Sequence, residues 1–160
     1  RVSLLPIVSL MTALAMHAFF ICFMFAMFLY YGYSAEVYWL QIPYYLFSLS
    51  ILLLGLSWLT SSIIVFFKDT GQFIAMMLQF GFWLTPIFWS MKMVPEKYHW
   101  IVQLNPLVYI IDGYRNSMIY HQWFWNDINM TLYFWLVTPG IFILGGLTFR
   151  KLRPHFTDVL

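Results

Sequence analysis

Long uncharged runs dominate this chain. Residues 11–31 contain no Asp, Glu, Lys or Arg over 21 positions, matching the ~20 residues an α-helix needs to cross the hydrocarbon of a bilayer. A polar break rich in interfacial rings, YGYSAEVYWLQIP (31–43), precedes a second uncharged run at 42–67. KDTGQ (68–72) interrupts it with a charge pair and Gly71, and a third run follows at 73–89. The fourth, 130–149, closes abruptly at RKLRPHFTDVL. The pattern predicts an all-α polytopic bundle, one transmembrane domain over 1–160 with four spanning helices.

The segment between the last two runs fits neither a span nor an ordinary loop. WIVQLNPLVYII (100–111) has 12 residues, too few to cross as one helix and too apolar to lie free in water. Asn105-Pro106 reads as a break, with Asn capping a second helix and Pro suited to its first turn. Pro95 can start the first helix in the same way. We expect two short helices over about 95–120 that enter the outer leaflet and return. Broken backbone at that depth must be buried in protein or face a wet cavity. Asp112 and Arg115, three apart, can pair on one helical face.

Lys/Arg placement sets orientation. With Arg150, Lys151 and Arg153 in the cytoplasm, four crossings put Arg1 and Lys68 there too, against Lys92, Lys97 and Arg115 outside. The expectation is a multi-pass plasma-membrane protein with a cytoplasmic C-terminus. Tyr38, Trp39, Trp89, Trp100, Trp123 and Trp125 fall near the proposed outer ends, where amphipathic rings favour the headgroup layer.

Composition agrees. The chain is 62% hydrophobic and 9% charged, and a soluble domain of this length could not hide so much apolar surface. A net charge of +2 is too small to point to nucleic acid. Cys22, the single cysteine, excludes an internal disulfide framework. The sequence opens without Met and shows no cleavable leader, so we read it as the C-terminal portion of a larger membrane protein.

Several faces carry candidate chemistry. On the third run Gln72, Gln79, Trp83, Pro86 and Ser90 fall in one stripe at helical spacing. A path for a polar solute has this character, and so does helix packing with glutamine hydrogen bonds across a seam. Pro86 is positioned to kink the helix near its outer end. Ser48, Gly55 and Ser62 recur every seven residues, a small-residue stripe suited to close helix contact. Thr138-Pro139-Gly140 points to a bend in the last span. His17 lies inside the first span, where an ionisable residue is a functional candidate and a neutral imidazole bonded to a carbonyl is the simpler reading.

Absences narrow the classes. No G-x-x-x-x-G-K-[ST] occurs, so no P-loop binds ATP in this chain. No H-E-x-x-H, paired Cys or His/carboxylate cluster offers a metal site. The spans hold no Asp or Glu to relay protons, and no convergent acid and base groups serve a transferase. Transport powered by another subunit survives best.

FFKDTGQFIAMMLQFGFWLTPIFW (66–89), NPLVYIIDGYRNSMIY (105–120) and RPHFTDVL (153–160) resemble the permease subunits of ABC-2 type exporters for polysaccharides and teichoic acids. VPEKYHWIVQLNPLVYIIDGYRNSMIYHQWFW (94–125) is most similar to wall teichoic acid translocation permeases. The resemblance covers essentially the whole chain and corresponds to the last four of six family spans. It implies a permease homodimer, two copies of a separate ABC ATPase subunit that carries ATP and Mg2+, and a lipid-linked glycopolymer as cargo. This chain would itself be no enzyme and hold no cofactor.

By the same resemblance, Asn105, Pro106, Tyr109, Asp112 and Arg115 belong to outer gate helices, and Lys68 and Asp69 lie on the ATPase side. Lys68 stands where relatives often carry Arg, which keeps the charge but loses the bidentate fork. Gln72, Gln79, Trp83, Pro86 and Trp89 become candidates for the translocation path, with ring faces stacking on sugar rings. Teichoic acid is the expected cargo. O-antigen or capsular polysaccharide is the alternative, followed by a transferase of lipid-linked sugars and by a drug or small-lipid exporter.

Overall fold

The computed structural model describes residues 5–67 and 69–154. All regular structure among them is helical. Helix α1 runs over Leu5–Tyr30 and α2 over Ile42–Phe66, entered through a 3-10 turn at Val37–Gln41. Helix α3 covers Thr70–Leu84. Short α4 (His99–Gln103) and α5 (Pro106–Arg115) follow, then a π-helical turn at Asn116–Tyr120. A 3-10 turn at Phe124–Asp127 leads into α6, Ile128–Leu152.

Three segments are long and apolar enough to cross a membrane: Leu5–Tyr30, Val37–Phe66 and Phe124–Leu152. They match the first, second and fourth runs read from the sequence, the first two ending one residue short. The third run differs. Its helix stops at Leu84 because Pro86 disfavours helical backbone at the residue before it, and Thr85 is extended at φ −81°, ψ 133°. Fifteen residues rise ~22 Å, short of the ~30 Å hydrocarbon thickness. Pro86 therefore terminates the helix where the sequence pattern pointed to a kink within it.

The centre of the bundle is the α2–α6 pair, which runs parallel. Tyr44 near the start of α2 stacks on Phe124 and receives a hydrogen bond from Trp135 Nε1 at 2.6 Å, while Trp58, four turns on, packs on Phe142. The small-residue stripe expected on α2 is its buried face, with Ser48, Gly55 and Ser62 all inside. Gly55 meets α6 so closely that a Cβ there would lie 2.7 Å from the Phe142 Cα. A Cβ on Gly145 would strike the Gly55 carbonyl oxygen. Only glycine lets two backbones approach to this distance, and close approach is how helices gain contact where solvent drives no association.

Ser48 and Ser62 return their hydroxyls to the Tyr44 and Trp58 carbonyls at 2.8 and 2.6 Å, so the seam carries no unpaired serine. Helix α6 continues through Pro139 without a break.

Helix α1 runs against α2 through Ile21, Ile42 and Met118 and a stacked Phe25–Trp39 pair with centroids 4.9 Å apart. Because α2 and α6 begin at the same end, the chain between them must come back. Helix α3 makes that return, since Thr85 just beyond it meets Asn105 in front of α5. The α4–α5 hairpin packs beside the opening turns of α2 and α6, where Tyr109 and Ile110 join Tyr45, Leu52 and Phe134 in one core.

Candidate functional site

Asn105 and Pro106 form the break read from the sequence. Asn105 is extended at φ −79°, ψ 113°; its Oδ1 accepts from the Leu107 amide at 3.0 Å, and Pro106 occupies the first turn of α5. The same side chain reaches sideways, Nδ2 donating to Thr85 Oγ1 at 2.8 Å. Thr85 is buried and passes its own proton to the Gly81 carbonyl. One asparagine thus caps α5 and ties it to the end of α3.

Arg115 makes the second tie. Its Nη1 lies 3.5 Å from Asp112 Oδ1, so the expected pair forms, but the shorter bond runs from Nη2 to the Ile87 carbonyl at 2.8 Å. The residues 85–87 are therefore held from both ends of α5. Tyr133 Oη donates to the Leu104 carbonyl at 2.6 Å, fixing the hairpin tip to α6. Asp112 is partly buried; loss of solvation holds its carboxyl above the ordinary range, Arg115 opposes this, and Asp127 adds to it.

Tyr109 is a core residue. It is buried, stacks on Phe134 with centroids 4.7 Å apart, and shares hydrogen bonds with Tyr44 (2.9 Å) and Thr131 (3.3 Å). Gly113 faces the Tyr45 ring so closely that a Cβ would overlap it. His17 finds the Tyr114 hydroxyl of α5 at 3.1 Å, where the simpler sequence reading expected a carbonyl. The first span thereby contacts the hairpin directly.

The stripe expected on the third run divides at Leu84. Gln72, Gln79 and Trp83 stand on α3 and are exposed. Pro86, expected beside them, is fully buried under the hairpin. Ser90 lies beyond the helix and accepts from the Lys92 amide at 3.4 Å. Trp89 folds back, its Nε1 donating to the Trp83 carbonyl at 3.2 Å. The Trp89 indole thus reaches the Trp83 backbone, and the proline leaves both. Gln72 and Gln79 have no hydrogen bond among the described residues. Asp69 starts α3 at the opposite end of the bundle from the hairpin; Lys68 lies outside the described residues.

A cavity of about 160 Å³ opens beside the hairpin, between the start of α2, the face of α5 and the entry to α6. Its polar wall comes from Gln103, Asp112, Asn116, Gln122, Asn126 and Asp127, with Tyr45, Tyr109 and Trp123 beside them. Sequence reading missed this site. It also missed Gln41, which is buried, donates to the Gln122 carbonyl at 2.9 Å and accepts from the Phe124 amide at 2.7 Å. The only signal for it was a lone amide side chain opening an apolar run.

The family model described as "ABC-2 type transporter" matches residues 2–119. Two relatives, each an O-antigen export system permease protein RfbA of Klebsiella pneumoniae, are 31% identical to the chain over 132 residues. Each alignment covers 81% of this chain and 49% of the relative. The chain spans about half the length of these curated relatives.

Proposed function

The chain belongs to the ABC-2 type transporter family of membrane subunits, and on that premise we propose that it forms part of the permease of an ATP-driven exporter carrying a lipid-linked glycopolymer outward across the plasma membrane. A separate ABC ATPase, in two copies, supplies ATP hydrolysis with Mg2+, and a second copy of the permease completes the path. The C-terminus faces the cytoplasm, α3 makes the third of the four crossings, and the hairpin lies in the outer leaflet as the gate.

The observation that carries this reading is the hairpin's attachment. Asn105 to Thr85, Arg115 to Ile87 and Tyr133 to Leu104 join it to the end of α3 and to α6. A hairpin so attached can transmit movement of α3 and α6 to the mouth of a path. Exposed Gln72, Gln79 and Trp83 support placing that path along α3. Glutamine facing hydrocarbon without a partner is costly, so a wet route or a second protomer accounts for this face. Lys68 and Asp69 then lie towards the ATPase.

Residues 94–125 favour wall teichoic acid by resemblance. The O-antigen exporters among the relatives favour a polysaccharide of that kind, which accounts for the observations at least as well. The test is reconstitution of the full-length permease with the ATPase encoded beside it, comparing ATP hydrolysis with and without lipid-linked polymer. Stimulation by either polymer supports the exporter and selects its cargo. Hydrolysis indifferent to both refutes it.

A further inference from the structure

The cavity beside α5 is built from groups whose chemistry is directional. The side-chain amides of Gln103, Asn116, Gln122 and Asn126 make no hydrogen bond among the described residues, although all four line it. Each amide offers two donors and an acceptor. Asp112 meets only the Arg115 guanidinium, at 3.5 Å, and Asp127 uses one oxygen on the Met130 amide at 3.1 Å. Both carboxylates keep accepting capacity. No lysine or arginine lines the space.

The walls are fixed from behind. Gln41 holds residues 122–124 from two sides. Thr131 Oγ1 lies 2.8 Å from the Phe124 carbonyl and 3.3 Å from Tyr109 Oη, and Tyr109 in turn bonds Tyr44 at 2.9 Å. The chain enters this wall through His121, a non-glycine residue at φ 53°, a left-handed conformation that must be held by its surroundings. A wall whose backbone is fixed before the ligand arrives loses less freedom on binding.

We propose that this cavity binds an uncharged sugar residue, a subsite for the polymer beside the hairpin; the assignment rests on the glycopolymer reading above. Neighbouring hydroxyls of a sugar donate to a carboxylate and accept from amides, which matches the wall. At about 160 Å³ the cavity suits one small polar ring and not a chain. Phosphate is disfavoured, because Asp127 repels it, Asp112 already holds Arg115, and no lysine or arginine lines the space. A metal ion is disfavoured as well, since no group of three or more His, Cys, Asp or Glu side chains meets among the described residues.

The experiment is saturation-transfer NMR on the full-length permease in lipid nanodiscs. Methyl glucoside, methyl galactoside, methyl mannoside and glycerol 3-phosphate are titrated separately. At least one hexoside should bind and glycerol 3-phosphate should not. Asn116→Ala and Asn126→Leu should each weaken the hexoside roughly fivefold, as expected for one lost neutral hydrogen bond. Asn126 is exposed, so its variant tests binding without disturbing the core.

Failure of all three hexosides, equal binding of glycerol 3-phosphate, or wild-type affinity in both variants overturns the assignment. Polymer-stimulated ATP hydrolysis separates the two claims. If it persists while the hexosides fail, the cavity assignment falls and the exporter stands. If hexosides bind while hydrolysis ignores polymer, sugar binding at the cavity stands, and its role as a polymer subsite falls with the exporter.

Discussion

Replacing Asn105 by alanine removes two bonds at once. The cap on the Leu107 amide contributes about 1 kcal/mol, and the bond to Thr85 about 1 kcal/mol more. Thr85 is not orphaned, because its hydroxyl still reaches the Gly81 carbonyl, so no desolvation cost is added. The sum, ~2 kcal/mol, should raise local opening of the hairpin about 30-fold. Hydrogen exchange in nanodiscs reads this directly at the amides of Leu107 and Val108.

Asn105→Asp separates the two bonds. Aspartate caps a helix as well as asparagine does, so protection at Leu107 should return towards wild type. A carboxylate cannot donate to Thr85, whose proton is already committed, so the Ile87 amide should exchange faster than in wild type. Unchanged exchange in Asn105→Ala, or wild-type behaviour at both places in Asn105→Asp, would refute the double role.

Gly145→Val should destabilise the α2–α6 pair by about 1–3 kcal/mol or more, because its Cβ would meet the Gly55 carbonyl; thermal unfolding in detergent checks this, and an unchanged midpoint contradicts it. Trp83→Ala or Trp89→Ala should lower polymer export while leaving assembly with the ATPase intact, measured by transport and co-purification; full export removes both rings from the path. Arg115→Lys cannot hold Asp112 and the Ile87 carbonyl with one fork, so exchange at residues 85–90 should rise; no change argues against the tie.

The folded-state pKa of Asp112 is raised above its ordinary value. Its protonated form is therefore favoured by folding, a contribution present below about pH 4 and lost as pH rises through the raised value. Asp112→Asn should flatten that slope in pH-dependent unfolding, and an identical slope contradicts the assignment.

Three of the four expected spans were legible because uncharged runs of this length have few other uses, and the break at Asn105-Pro106 because capping chemistry is local. The Asp112–Arg115 pair was legible for the same reason, since three residues on a helix fix the spacing. The stripe through Pro86 misled because periodicity extends past a helix end that only local backbone sterics mark. Contacts between distant segments left no trace in sequence: nothing near Gln41 announces Gln122, and nothing near His17 announces Tyr114. Gly145 likewise became meaningful only once α6 was seen to cross Gly55.

The most direct measurement is transport itself. Full-length permease and its ATPase are placed in proteoliposomes with labelled lipid-linked polysaccharide, and the label crossing the bilayer is followed on adding ATP. The expected result is ATP-dependent movement that is lost when either subunit is omitted. Movement without ATP or without this permease, or none with both present, would contradict it.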